Sequence, residues 1–136
     1  MGLLIKGGRV IDPAQNLDRQ ADVLIENGHI TAVEPGLGAG SHEVLDASDR
    51  VVCPGFIDVH VHLREPGQEY KETIATGTRS AAAGGFAHIC CMPNTDPAID
   101  DPSVVELIQE KTAQAVGVKV HVFASMTKQN AGKELA

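Results

Sequence analysis

Hydrophobic positions along the chain follow two different patterns, and the change falls at Pro54-Gly55. Before it they come in short bursts separated by turn residues. Leu3 to Ile11 is one such burst, broken by Gly7-Gly8 and closed by Asp12-Pro13. Val23-Leu24-Ile25 and Ile30-Thr31-Ala32-Val33 flank Asn27-Gly28. Asn-Gly between two β-rich runs predicts a hairpin over residues 21–33, because both central residues must reach positive φ. Pro35 to Ser41 carries three glycines and reads as loop, and Val44-Leu45-Asp46 and Val51-Val52-Cys53 follow as two further short strands. Residues 1–53 therefore predict a small antiparallel β unit.

Beyond Gly55 the runs lengthen. Phe56-Ile57-Asp58-Val59-His60-Val61 is nearly continuous in apolar residues, the mark of a strand covered on both faces. An alanine-rich helix is expected from about Lys71 to Ala83, stopped by Gly84-Gly85. Phe86 to Met92 reads as a second buried strand. Asp101-Pro102 opens a second helix, with Asp101 as N-cap, Pro102 in the first turn and an apolar stripe of Val104, Leu107 and Ile108 widened by Val105. Val118 to Ala124 is the third strand. Strand starts at Phe56, Phe86 and Val118 lie 30 and 32 residues apart, which is a βαβαβ series. This spacing fits a doubly wound sheet or the first three strands of a (β/α)₈ barrel, and a whole barrel needs about 250 residues.

Composition narrows the class. At 43% hydrophobic and 21% charged residues the chain is globular in character, and with no tryptophan its core must be aliphatic. The formal net charge of -7 comes without any basic block, which argues against nucleic acid as the main partner. A small anionic substrate remains open, since it needs only one or two placed cations. Cys53, Cys90 and Cys91 form no Cys-x-x-Cys, the usage a reducing cytoplasm permits. Neither a signal-peptide run nor a stretch of ~18 apolar residues occurs, so a cytoplasmic chain without membrane contact is expected.

Candidate chemistry gathers at the ends of the predicted parallel strands, where α/β folds deliver functional residues. By strand alternation His60 and His62 share one face, with Arg64 continuing it and Asp58 preceding it. Two imidazoles side by side suit a divalent transition metal such as zinc; two histidines capping a strand and bonded to loops are the competing reading. Asp58 either orients a ligating histidine through its second ring nitrogen or bonds to backbone. Arg64 suits bidentate carboxylate binding, against the alternative of a surface arginine. Asn94, in Met92-Pro93-Asn94-Thr95, offers a donor and an acceptor at the same sheet end, or simply forms the turn. Cys90 and Cys91 must face opposite ways and read as small buried hydrophobes. His88 and His121 read as core or strand-end histidines, His29 and His42 as solvated.

The run Pro54-Gly55-Phe56-Ile57-Asp58-Val59-His60-Val61-His62-Leu63-Arg64-Glu65-Pro66-Gly67 resembles the signature of cyclic-amide amidohydrolases. With Gly77-Thr78, Ala82-Ala83-Gly84-Gly85-Phe86 and Met92-Pro93-Asn94-Thr95, the likeness is greatest to the dihydroorotases. The resemblance implies an α/β fold made of the first three β/α units of an incomplete barrel over 54–136, preceded over 1–53 by strands of a small β-sandwich. It further implies a zinc-dependent hydrolase that interconverts N-carbamoyl-L-aspartate and dihydroorotate. Carried over by motif, His60 and His62 would be zinc ligands, and His62, Arg64 and Asn94 would contact the anionic substrate. One or two zinc ions, the other ligands and the catalytic aspartate would belong to a complete enzyme, those residues falling beyond Ala136, so no catalytic residue is assigned here and the piece alone is expected to be inactive. Allantoinases and hydantoinases are the nearest alternatives. A non-catalytic homologue supporting aspartate transcarbamoylase is another, and assembly of like chains is compatible with all of them.

Overall fold

Residues 2–115 and 117–136 are described by a computed structural model, which divides into two units, Met1–Pro54 and Gly55–Ala136. In the first, strands β1 (Leu3–Asp12), β2 (Leu17–Glu26), β3 (His29–Glu34), β4 (Glu43–Asp46) and β5 (Val51–Val52) form one sheet. Its order is β3-β2-β1-β4, with β5 also on β1. The β2–β3 hairpin turns on Asn27 and Gly28, both at positive φ (51° and 78°), as its sequence predicts. The sheet is mixed and not antiparallel throughout, because β4 and β5 run parallel to β1. After three antiparallel strands the loop at 35–42 brings the chain to the start of β1, where Glu43 pairs with Leu3, and β4 therefore runs in β1's direction.

One extra residue in β1 makes a bulge between Ile5 and Gly8, where Gly7 takes φ 78°. Its N–H donates to the buried carboxylate of Asp22 at 2.7 Å, and the Leu37 N–H donates to the same group at 2.9 Å. Asp22 thereby joins the bulge to the long loop, above a small core of Val10, Ala21 and Val23 packed with Ile5, Leu17, Ile25, Val33 and Val52.

The second unit is a three-stranded parallel sheet, β6 (Phe56–Val61), β7 (Phe86–Cys91) and β8 (Lys119–Val122), in the order β6-β7-β8. Helices α1 (Ile74–Ala83) and α2 (Pro102–Thr112) connect the strands. The first helix starts three residues later than its composition suggests. Thr73 caps it by accepting the Thr76 N–H, and Thr76 returns the bond to the Thr73 N–H, a reciprocal capping box. In α2, Asp101 caps Ser103 as expected, Val104 and Ile108 are buried, and Leu107 turns outward at 38% exposure. Both helices and the sheet face that carries Ile89 and Cys91 bury Leu63, Ile74, Ile89, Cys91, Ile99, Val104, Ile108 and Val118.

The opposite sheet face is open, so in this chain β6 is covered on one face only, although its apolar run reads as a strand covered on both. Ile57 and Val59 are each more than 60% exposed, and Ile57, His88, Cys90, His121 and Phe123 line a shallow cleft of about 270 Å³. The apolar run of β6 is real, but both helices lie on the face carrying Ile89 and Cys91, and among the described residues no element of this unit lies over the other. Among the described residues no helix is long and apolar enough to cross a membrane.

Candidate metal and substrate site

Strand β6 carries its histidines past an irregularity. Asp58 pairs with Ile89 and Val61 with Cys91, so three residues on β6 answer two on β7. Asp58 and Val61 thus both stand in register with the helix-facing Ile89 and Cys91, which interrupts the strict alternation assumed for Asp58, His60 and His62. The Asp58 carboxylate accepts the main-chain N–H of His60 at 3.0 Å, so it serves the bulged backbone and not a ring nitrogen. The two imidazoles nevertheless remain neighbours, with ring centres 5.3 Å apart and planes at 63°. Both histidines are exposed, so desolvation does not force them to find partners.

That separation fits a shared metal ion. Two imidazoles bound to one tetrahedral zinc at ~2.0–2.1 Å have ring centres about 5 Å apart. The pair alone does not complete a site, since among the described residues no three His, Cys, Asp or Glu side chains are grouped to hold a metal. Zinc would need at least one further protein ligand.

His62 is fixed from its other side. Its Nδ1 lies 2.8 Å from Oδ1 of Asn94, in the loop after β7. With the amide oxygen as acceptor, Nδ1 carries the proton, and the lone pair of the neutral ring is left on Nε2, the arrangement a ligating histidine requires. The Asn94 amide N–H groups stay available to an anion. The sequence thus placed His62 and Asn94 at one end of the sheet, and the fold brings them into contact.

Arg64 follows in a left-handed conformation (φ 64°), half-buried, and its guanidinium has no hydrogen-bond or ion-pair partner among the described residues. Its neighbours are held tightly. Leu63 inserts into the core against α1, where Gly77 leaves room; a β-carbon there would sit 2.6 Å from Leu63 Cδ2. Glu65 is buried, accepts the Ile74 N–H at 2.8 Å and pairs with Lys111. Gly67, at φ 92°, lets the loop after β6 meet the loop after β7, since a β-carbon would fall 2.0 Å from the Asp96 carbonyl oxygen. The Asp96 N–H donates to the Pro66 carbonyl at 3.1 Å across the same junction. Glu65 and Gly67 stand in the sequence motif without an assigned role, and Lys111 carries no sequence signal. Nothing local pairs Glu65 with a lysine 46 residues on.

The remaining candidates lie elsewhere. His88 and His121 bond to one another on the open sheet face, Nδ1 to Nε2 at 2.9 Å. Burial pushes the Cys91 thiol up to about 11, which suits a core residue and not a nucleophile, and Cys90 faces the open cleft. His42, half-buried, accepts the Gly2 N–H at 3.1 Å through Nδ1 and is not simply solvated, while His29 is exposed beside its turn.

A parallel sheet with paired histidines at the end of its first strand and an amide-bearing loop after the second defines the class by fold: a mixed α/β unit similar to part of the solved hydantoinases. The structure superimposes on L-hydantoinase (dihydropyrimidinase) from Arthrobacter aurescens with a TM-score of 0.79 at 22% identity, over 92% of this chain and 28% of that one. A D-hydantoinase gives the same TM-score at 28% identity, over 93% and 28%. In sequence, the family described as dihydro-orotase-like matches residues 49–136. Dihydroorotase of Solibacter usitatus is 53% identical over the whole chain, and that of Aquifex aeolicus 48% identical over 98% of it. The chain belongs to the dihydroorotase-like family. It spans 32% of the length of each of these two relatives.

Proposed function

We propose that this chain is the first third of a zinc-dependent dihydroorotase, which closes N-carbamoyl-L-aspartate to (S)-dihydroorotate and reopens it, in cytoplasmic pyrimidine biosynthesis. In this reading Gly55–Ala136 supplies the first three β/α units of a (β/α)₈ barrel, and Met1–Pro54 supplies strands of a small β-sandwich. Relatives near 50% identity that carry the dihydroorotase name support the substrate. The observation that carries the site is the His62–Asn94 hydrogen bond, because it joins a strand-end histidine to the Met-Pro-Asn-Thr turn.

The residues of this chain then have distinct tasks. His60 and His62 would hold the zinc ion, which when bound supplies Lewis-acid polarisation of the scissile amide carbonyl. Asn94 keeps the His62 proton on Nδ1 and turns its amide N–H groups toward the substrate carboxylate. Arg64, unpaired among the described residues, supplies the cation that carboxylate needs, in a two-bond fork. Ring opening also needs further ligands and a general base; none is assigned to a residue of this chain. Assay of the full-length protein with dihydroorotate, allantoin and hydantoin tests the reading. Turnover of dihydroorotate is expected, and turnover of only the other two would assign the protein to a neighbouring activity.

A further inference from the structure

Glu65 carries a carboxylate into the interior at 8% exposure, immediately after Arg64. A charge so buried is tolerated only when it is paired and hydrogen-bonded. Both conditions are met by long-range partners. One oxygen accepts the N–H of Ile74, the first residue of α1, and the other meets the ammonium of Lys111 in the last turn of α2. No acidic residue lies in the first turn of α1, so Glu65 supplies from the loop the negative charge that a helix N-terminus favours. Lys111 likewise sits where a helix C-terminus favours a cation, and the carboxylate raises its pKa above the ordinary lysine value.

The clamp acts on the Arg64 backbone. Arg64 sits in the left-handed region between two anchors: Leu63, buried against Gly77, and Glu65, pinned to both helices. Its carbonyl accepts the N–H of Gln68 at 3.0 Å, closing the loop that Gly67 presses against Asp96. A non-glycine residue holds positive φ only where its surroundings over-determine it. The guanidinium itself has no partner among the described residues, so the direction in which it leaves the backbone is set by these neighbours.

We infer that Glu65, clamped between the Ile74 N–H and Lys111, is the positioning residue for Arg64 and so governs how the protein grips the carboxylate of its substrate. The inference rests on the proposed function. Carboxylate grip is felt alike in bound substrate and transition state, so its loss appears in KM and not in kcat.

Glu65→Gln in the full-length protein keeps the side-chain shape and removes the charge that holds Lys111. KM for dihydroorotate is expected to rise about tenfold, the scale of one weakened hydrogen bond to a charged group, with kcat nearly unchanged. Amide exchange at Gln68 and Ile74 should quicken about tenfold while Ile89 in β7 keeps its protection. Lys111→Met removes the clamp from its solvent-facing end and should repeat both effects, so the test survives a failure of Glu65→Gln to fold. Unchanged KM, or exchange quickening uniformly through the unit, makes Glu65 merely structural and overturns the inference. If the wild-type protein does not turn over dihydroorotate, the functional reading fails by itself. The exchange data then judge the clamp, with selective loosening at Gln68 supporting it and no change overturning it.

Discussion

The imidazole of His62 and the side-chain amide of Asn94 meet at 2.8 Å, joining the ends of two adjacent parallel strands. With the Asn94 oxygen as acceptor, Nδ1 of His62 donates and Nε2 is left free for a metal. It also leaves the Asn94 amide N–H groups for the second task proposed above, holding the substrate carboxylate.

Asn94→Ala removes both tasks. In the full-length enzyme kcat/KM for dihydroorotate should fall by about 1–3 kcal/mol of transition-state stabilisation. Asn94→Asp should lose more, because a carboxylate then faces an anionic substrate. Steady-state kinetics on both variants, with the alanine form the more active, checks the ordering.

Metal content separates ligands from their supports. His60→Ala and His62→Ala should each lower zinc affinity beyond the roughly 10–100-fold that loss of an outer partner costs, whereas Asn94→Ala should stay within that range. Competition with a chelator, read by elemental analysis, gives the three affinities. Removing the metal should abolish turnover, and adding zinc back should restore it.

Asp22 predicts an acid-sensitive first unit. The Gly7 N–H, foremost, and the Leu37 N–H hold its carboxyl below the ordinary carboxylate range, against the opposing effect of burial. A folded-state pKa below the unfolded one stabilises fully above pH ~4, and the contribution is lost as pH falls through the depressed folded value. Asp22→Ala should cost about 2–4 kcal/mol near neutral pH by stranding two donors, and the difference from wild type should shrink below pH ~4. Urea unfolding across pH 2–7 reads it.

Gly67→Ala should loosen the junction between the loops after β6 and β7. The new methyl group has nowhere to go, and φ 92° is strained for any L-residue. A loss of about 2 kcal/mol or more in stability is expected, with substrate affinity falling alongside; calorimetry and KM measure the two.

The 136-residue chain by itself should associate. Ile57, Val59 and Phe123 stand exposed on the open sheet face, and β6 and β8 are both edge strands. Light scattering after size exclusion should show species larger than a monomer, with no dihydroorotate turnover. Ile57→Lys together with Phe123→Lys should shift the population toward monomer. A monomeric wild-type chain with a sharp melt would contradict this.

Much of the fold was legible because its signals are local. Asn27-Gly28 needs only its own backbone to form a hairpin, Asp101-Pro102 caps a helix within one turn, and Gly84-Gly85 ends one. The α1 start was misplaced because Thr73 and Thr76 form a cap without an acidic residue to advertise it. The mixed first sheet was missed because strand direction at β4 depends on where a glycine-rich loop lands. The His-x-His-x-Arg pattern and the asparagine turn stood out through spacing at strand ends, where an α/β fold exposes side chains.

What the sequence by itself determined, then, is the order of the elements and the placement of His60, His62, Arg64 and Asn94 at one end of a parallel sheet. The tertiary structure decided the rest. Beside a bulge Asp58 accepts the His60 backbone N–H, and a contact across 32 residues joins His62 to Asn94. A pair 46 residues apart buried Glu65 against Lys111, and one sheet face was left open. Each of these depends on which distant groups come within about 3–5 Å of each other. Burial and hydrogen bonding set that only when the chain is packed, and no local pattern carries it.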